Sequence, residues 1–166
     1  MNIKELIEKI INWAKDRNLD EAGTVKAQSI KTAEEIAELI KAISKDNIDL
    51  IKDSIGDVFV TLVIGDMLDM QLNLFEEYYQ EIRGNVKTHL TVYKKEEIDC
   101  LAQEITNVLR NGYNDELIFY GLANLIVIAD IYNLNFIDCI ESAYNEIKDR
   151  KGKTVNGQFI KEEDLK

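Results

Sequence analysis

No proline interrupts the 166 residues of this chain, and 46% of them are hydrophobic. Proline breaks a helix by removing an amide donor and clashing with the carbonyl one turn back. A proline-free chain whose apolar residues recur at three- and four-residue steps is therefore free to build long helices. Such steps run through Ile3, Leu6, Ile7, Ile10, Ile11 and Ala14, on a first helix that should end near Asn18. They resume at Ile30, Ala33, Ile36, Ala37, Leu39, Ile40 and Ile43 and stop at the polar Ser44-Lys45-Asp46-Asn47. Asn47 suits the N-cap of a third helix. That helix carries Leu50, Ile51, Ile55, Val58, Leu62 and Met67 and should end near Met70. It is apolar around so much of its circumference that it belongs at the centre of the fold. Asn73 with Glu76 three residues on predicts the start of a fourth helix, closed by Gly84-Asn85. Helical spacing returns at Ile98, Leu101, Ile105, Val108 and Leu109 and breaks at Asn111-Gly112. Two more helices, over 115–133 and 136–150, precede a polar tail, and the segment 86–93 reads as a linker or a short extended piece. The expected architecture is one all-α domain, a helical bundle.

Lys and Arg number 20 against 31 Asp and Glu, for a net charge of −11. Such a charge repels nucleic-acid backbone, so a DNA- or RNA-coating protein is excluded. The apolar runs 58–64 and 117–128 fall short of the roughly 20 residues of a membrane span. Acids such as Asp57, Asp66 and Asp130 bound them, so they read as core helices. Residues 1–5 lack the apolar block and cleavage site of a signal peptide. Cys100 and Cys139 stand far apart with no CxxC pair, which fits buried thiols in a reducing cytoplasm better than a disulfide framework or zinc site.

The chain also repeats itself faintly. Residues 72–76 (LNLFE) recur 62 positions later as 134–138 (LNFID), and 79–82 (YQEI) recur 65 later as 144–147 (YNEI). Either the chain is internally duplicated, or both are ordinary Asn-capped helix starts. Under duplication the second half lacks the acids of the first, with Leu122-Ala123-Asn124-Leu125 in its central helix. That half would be structural.

Glu34, Glu35 and Glu38 fall within five residues at helical neighbour spacings and flank the apolar stripe of Ile36, Leu39 and Ile40. Two unit charges ~4 Å apart at an effective dielectric of ~20 repel by ~4 kcal/mol, and a bound cation reverses that sign. The plain alternative is a solvated acidic face. The next helix adds Asp53, Ser54 and Asp57, again at neighbour spacings, inside an apolar sequence where an acid needs a reason. Gly56 lowers helix propensity by up to ~1 kcal/mol but permits close helix contact or ligand approach. A short turn makes the two helices antiparallel neighbours, so Glu35 and Glu38 can converge with Asp57 on one divalent ion. All-oxygen ligands favour Mg²⁺ or Mn²⁺ over zinc.

The run 31–39 (KTAEEIAEL), followed by Ser54-Ile55-Gly56-Asp57, resembles the two-helix acidic signature of the MazG-like, all-α nucleoside triphosphate pyrophosphohydrolases. Residues 143–152 (AYNEIKDRKG) and 156–159 (NGQF) are similar to the end of phage and bacterial MazG-like proteins, and Trp13 extends the likeness toward the start. Residues 75–135 are extra relative to the small family members, an additional helical segment. The family motif is EExxE followed by ExxD. Glu34, Glu35, Glu38 and Asp57 match it, but Ser54 stands where its second part has Glu. A hydroxyl is a poorer Mg²⁺ ligand than a carboxylate. Asp53 can substitute by a modest helix rotation, or a water can fill the gap.

The resemblance implies a homodimer or higher oligomer that hydrolyses an NTP or dNTP between the α- and β-phosphates, yielding monophosphate and pyrophosphate. Glu35, Glu38, Asp53 and Asp57 are then the candidate metal ligands, and Glu34 or Glu38 would orient or deprotonate the attacking water. Lys31, Arg150 and Lys151 are candidate phosphate contacts or surface-solubility residues. Trp13 either stacks on a base or belongs to the core. The other reading is a MazG-like nucleotide-binding or interaction module that lost turnover with Ser54. Residues 151–154 (KGKT) lack the earlier Gly of a P-loop, since Ile147 stands there. With His89 the only His, a Ser-His-Asp or Cys-His hydrolase is disfavoured.

Overall fold

The structure, a computed structural model, describes residues 1–85 and 94–165. His89 and the expected linker at 86–93 lie outside the described residues. The described residues form eight α-helices: α1 Ile3–Lys15, α2 Leu19–Ala22, α3 Val25–Ser44, α4 Ile48–Leu68, α5 Phe75–Asn85, α6 Lys94–Asn111, α7 Asp115–Ile131 and α8 Phe136–Ile147. A two-stranded antiparallel hairpin follows, β1 Gly152–Val155 and β2 Gln158–Lys161. The protein is thus mostly helical rather than all-α, and the tail read as merely polar is folded. Its signal is Asn156-Gly157 between Val155 and Gln158. Both turn residues have positive φ, 52° and 85°. This is the conformation that a two-residue hairpin turn demands and that Asn-Gly supplies.

Helix α4 is central, as its apolar circumference requires, packing against α1, α3, α7 and α8. Gly56 resolves toward close helix contact: a Cβ there would stand 2.5 Å from the Cys139 carbonyl oxygen and 2.6 Å from the Ala143 Cβ on α8. Both thiols are free, Cys139 buried and Cys100 half-buried. Among the described residues no single helix is long and apolar enough to cross a membrane; α7 and α8 pass together only as a pair bent by 108°.

Three helix boundaries differ from expectation. The first helix stops at Lys15, because Asn18 turns left-handed (φ 58°) to start α2. The last helix stops at Ile147 instead of 150. There Arg17 donates to the carbonyl oxygens of Arg150 and Lys148, satisfying groups the helix end leaves free. Asn73 is not an N-cap. It is left-handed (φ 56°), and α5 begins at Phe75. The carboxylate of Asp66, 2% exposed, organises this loop instead, accepting from the backbone amides of Leu72 (2.9 Å) and Asn73 (3.0 Å). Asp66→Ala strands both amides and is expected to cost about 2 kcal/mol in urea denaturation, with Asp66→Asn, which keeps one acceptor, losing less. Equal stability of Asp66→Ala and wild type would refute this account.

The packing has a two-fold character. Helix α3 lies against α6, α4 against α8, and α7 against α5. Exchanging the set α3–α4–α5 with the set α6–α7–α8 therefore maps these contacts onto one another. Asn47 and Asn114, 67 residues apart, cap α4 and α7 in the same way, each accepting from the amide three residues on. At that same spacing Ile51, Ile55, Val58, Phe59 and Leu62 correspond to Ile118, Leu122, Leu125, Ile126 and Ala129, and all ten are at most 2% exposed.

Candidate functional site

The acids of the sequence motif divide once the helices pack. Glu35 sits on the face of α3 turned toward α4 and is 8% exposed, while Glu34 and Glu38 face solvent. Helical geometry requires this split, since successive residues point about 100° apart. Asp57, half-buried on α4, lines one cleft with Glu35. Lys31, Gln28, Thr61 and Trp13 also line it, and Arg150, Gln158 and Phe159 reach it from the chain beyond α8.

Lys31 is one turn before Glu35, and its Nζ lies 2.6 Å from Glu35 Oε1 and 3.4 Å from Glu34 Oε2. Burial pulls the Lys31 pKa down, but these pairs outweigh it and hold the ammonium above its ordinary value. Asp57 shows the opposite imbalance. Burial, then the charges of Glu35, Asp53 and Glu146, push its carboxyl up to about 7, with Arg150 opposing. Burial and a hydrogen bond and charge from Glu146 likewise raise Asp53. Glu146 is therefore a member of the cluster that the motif did not single out. It pairs with Arg150 at 3.7 Å across one turn of chain, and that i, i+4 spacing was its only local signal.

Trp13 is 7% exposed, donates its indole N–H to the Ile147 carbonyl oxygen at 2.7 Å and meets Phe159 edge to face at 5.3 Å. It is a core residue whose side chain also walls the cleft. Lys151 does not line the cleft; with Lys161 and Glu163 it lines an open surface that shares Arg150 with the cleft. Gln28 and Thr61, which sequence patterning passed over, are linked by a buried bond from the Gln28 amide to the Thr61 carbonyl oxygen at 3.1 Å.

The donor chemistry fits a hard divalent cation in kind: oxygen ligands, with an excess of negative charge sensed at Asp57. The geometry is not closed. Among the described residues no three His, Cys, Asp or Glu side chains converge on a metal-sized point, and the Lys31 ammonium occupies Glu35. Binding would require Lys31 to release that carboxylate.

Asp57 makes stability depend on pH in a definite direction. Below about pH 4 folded and unfolded chains both hold its proton. Between about 4 and 7 only the folded chain does, so stability from this group falls as pH rises, and the loss is complete above 7. Asp57→Asn is thus expected to raise the stability of the metal-free protein at pH 8 by on the order of 2 kcal/mol, allowing for solvent screening, and to leave it unchanged at pH 4. Thermal melts at the two pH values check this, and no gain at pH 8 would overturn it.

No protein-family model matches the chain, and no solved structure matches it. It is 32% identical over 159 residues to the uncharacterized 18.2 kDa protein in the rep-hol intergenic region of Haemophilus phage HP1, strain HP1c1. That similarity covers 86% of this chain and 98% of the phage protein. An acidic helix pair packed around a half-open cleft is thus carried on a chain that belongs to the same family as this phage HP1 protein.

Proposed function

We propose that the protein is a Mg²⁺-dependent nucleoside triphosphate pyrophosphohydrolase with the MazG-like helical fold, adding water across the bond between the α- and β-phosphates of an NTP or dNTP. One observation carries the reading. The two halves of the acidic signature lie on α3 and α4, which pack together, and Glu35 and Asp57 line one cleft with the cations Lys31 and Arg150.

In this reading Glu35, Glu38, Asp53 and Asp57 would hold the metal once Lys31 releases Glu35 and the acids draw together, and the ion would supply neutralisation of phosphate charge and a more acidic water. Arg150 and Lys31 bind the phosphate oxygens, Arg150 with its two-pronged guanidinium. Lys31 thereby exchanges Glu35 for substrate. Glu34 or Glu38, both solvent-facing, orients the water and takes its proton. Ser54 leaves the family's second glutamate position without a carboxylate, and Glu146 brings one to the same cluster from α8.

The test is pyrophosphate release from a panel of NTPs and dNTPs with Mg²⁺, Mn²⁺ or chelator. Metal-dependent release supports the reading. Its absence from folded protein moves the reading to a nucleotide-binding module without turnover, which the Lys31–Glu35 pair and Ser54 favour. Mg²⁺ at pH 8 is also expected to raise the melting temperature by several degrees more than NaCl of equal ionic strength, and to lose that excess in Asp57→Asn. Equal effects of the two salts would remove the metal site.

A further inference from the structure

A second cleft lies between α6 and α7, at the positions that correspond to the acidic one. A spacing of 69 residues takes Glu35 and Glu38 to Glu104 and Asn107, and the spacing of 67 that relates α4 to α7 takes Asp53 and Asp57 to Tyr120 and Asn124. Glu104, Asn107, Tyr120 and Asn124 line one open cavity of about 630 Å³.

Glu104 is the feature that points to a ligand. It is 8% exposed, lines this cavity, and its Oε2 is buried without a hydrogen-bond partner. Leaving a buried carboxyl oxygen unpaired forfeits its hydration with nothing in return, which a native fold does not sustain without cause. Burial and the charge of Glu116 push the group up to about 7, so it can offer either an acceptor pair or a donor and an acceptor. Where the acidic motif has Glu38 and Asp57, this half has the amides of Asn107 and Asn124. Amides place a donor and an acceptor side by side and carry no net charge. Glu116 and Arg110 line the cavity too, so with Glu104 it holds two carboxylates against one guanidinium, a net negative wall that repels a bare phosphate, and among the described residues no three acids converge there on a cation. A flat heterocycle with alternating donors and acceptors on its edge matches the wall, and the half-exposed ring of Tyr120 offers a stacking surface.

We propose that the α6–α7 cavity is a second binding site, without turnover, for a nucleobase bearing an exocyclic amino group, with Glu104 reading that amino edge between Asn107 and Asn124. The choice of a nucleobase rests on the nucleotide-handling reading above; the existence of a ligand rests on Glu104 itself. The second half of the chain is then a recognition unit rather than filler.

Nucleosides are the probe, because without phosphates they do not engage the cations of the first cleft. Equilibrium dialysis of adenosine, guanosine, cytidine and uridine is run without divalent metal on wild type, Glu104→Gln, Asn124→Leu and Asp57→Asn, each verified as folded by circular dichroism. At least one amino-bearing nucleoside is expected to bind about tenfold or more tightly than uridine. Glu104→Gln and Asn124→Leu should each weaken it about tenfold, the loss of one hydrogen bond to a buried polar group, and Asp57→Asn should leave it within about twofold. The proposal is overturned if uridine binds equally, if binding follows Asp57 and not Glu104, or if no nucleoside binds folded wild type at millimolar concentration. Pyrophosphate release is measured separately, so failure of catalysis and failure of this site give different results.

Discussion

Pyrophosphate release is expected to fall by at least about 100-fold when Asp57 is replaced by Asn, the scale seen when one preorganised charge at a phosphoryl or acyl centre is removed. The substitution keeps size and hydrogen bonding, removes only charge, and is expected to stabilise the metal-free fold at pH 8, so lost activity cannot be blamed on unfolding. The companion substitutions decide which carboxylates matter. Glu35→Gln should cost as much as Asp57→Asn, because both groups line the cleft. Glu38 and Glu146 are both solvent-accessible, and the acidic sequence motif names the first while the packing favours the second. Large losses in Asp57→Asn, Glu35→Gln and Glu38→Gln would support the motif reading as it stands. A silent Glu38→Gln beside a crippled Glu146→Gln would shift the cluster onto α8. Full activity in Asp57→Asn would sink the proposed centre.

Gly65→Ala is expected to destabilise the protein by about 3 kcal/mol, lowering the melting temperature by roughly 10 °C for a chain of this size. The ring of Tyr113, 1% exposed, is seated directly over Gly65, so a Cβ there would lie 2.0 Å from Cε1 and Cζ. The ring has no room to retreat. Its hydroxyl is hydrogen-bonded to Thr32 Oγ1 at 2.6 Å and its backbone amide donates to Asp69 Oδ2 at 3.0 Å. Burial raises the phenol pKa, so it stays a neutral partner for Thr32. The same ring joins α3, α4 and the α6–α7 turn, which makes Gly65 a packing junction between both halves of the chain. If this is the mechanism, Tyr113→Leu in the Gly65→Ala background must lose much less than the sum of the two single changes in a double-mutant cycle. Strict additivity, or a Gly65→Ala protein as stable as wild type, would refute it.

Much of the helical plan is legible because its cause is local. The stripe Ile3, Leu6, Ile10 and the cap Asn47 act within a turn or two of chain, and each lies where periodicity and cap chemistry place it. Asn73 shows where local reasoning ends. Its spacing to Glu76 is that of a capping box, yet Asp66, seven residues back and buried in α4, takes its amide and turns the loop another way. The hairpin signal, Asn156-Gly157, was present but overshadowed by a polar composition. Arg17, holding the end of α8, and Thr24, whose amide donates to the Gly157 carbonyl oxygen at 3.1 Å, anchor that tail from more than a hundred residues away.

The candidate site divides in the same manner. Spacing by itself determined that Glu34, Glu35 and Glu38 share one helix and Asp53 and Asp57 the next, because 3.6 residues per turn leaves little freedom. It also determined that the second central helix carries Asn124 where the first carries an acid. Only the tertiary structure decided which of these acids is buried, that Lys31 claims Glu35, that Glu146 joins from α8 and Arg150 from just beyond it, and that Glu104 is left with an unpaired oxygen. Those outcomes depend on the angle at which one helix packs on another and on the charges that packing encloses, and neither is written in the residues of any single helix.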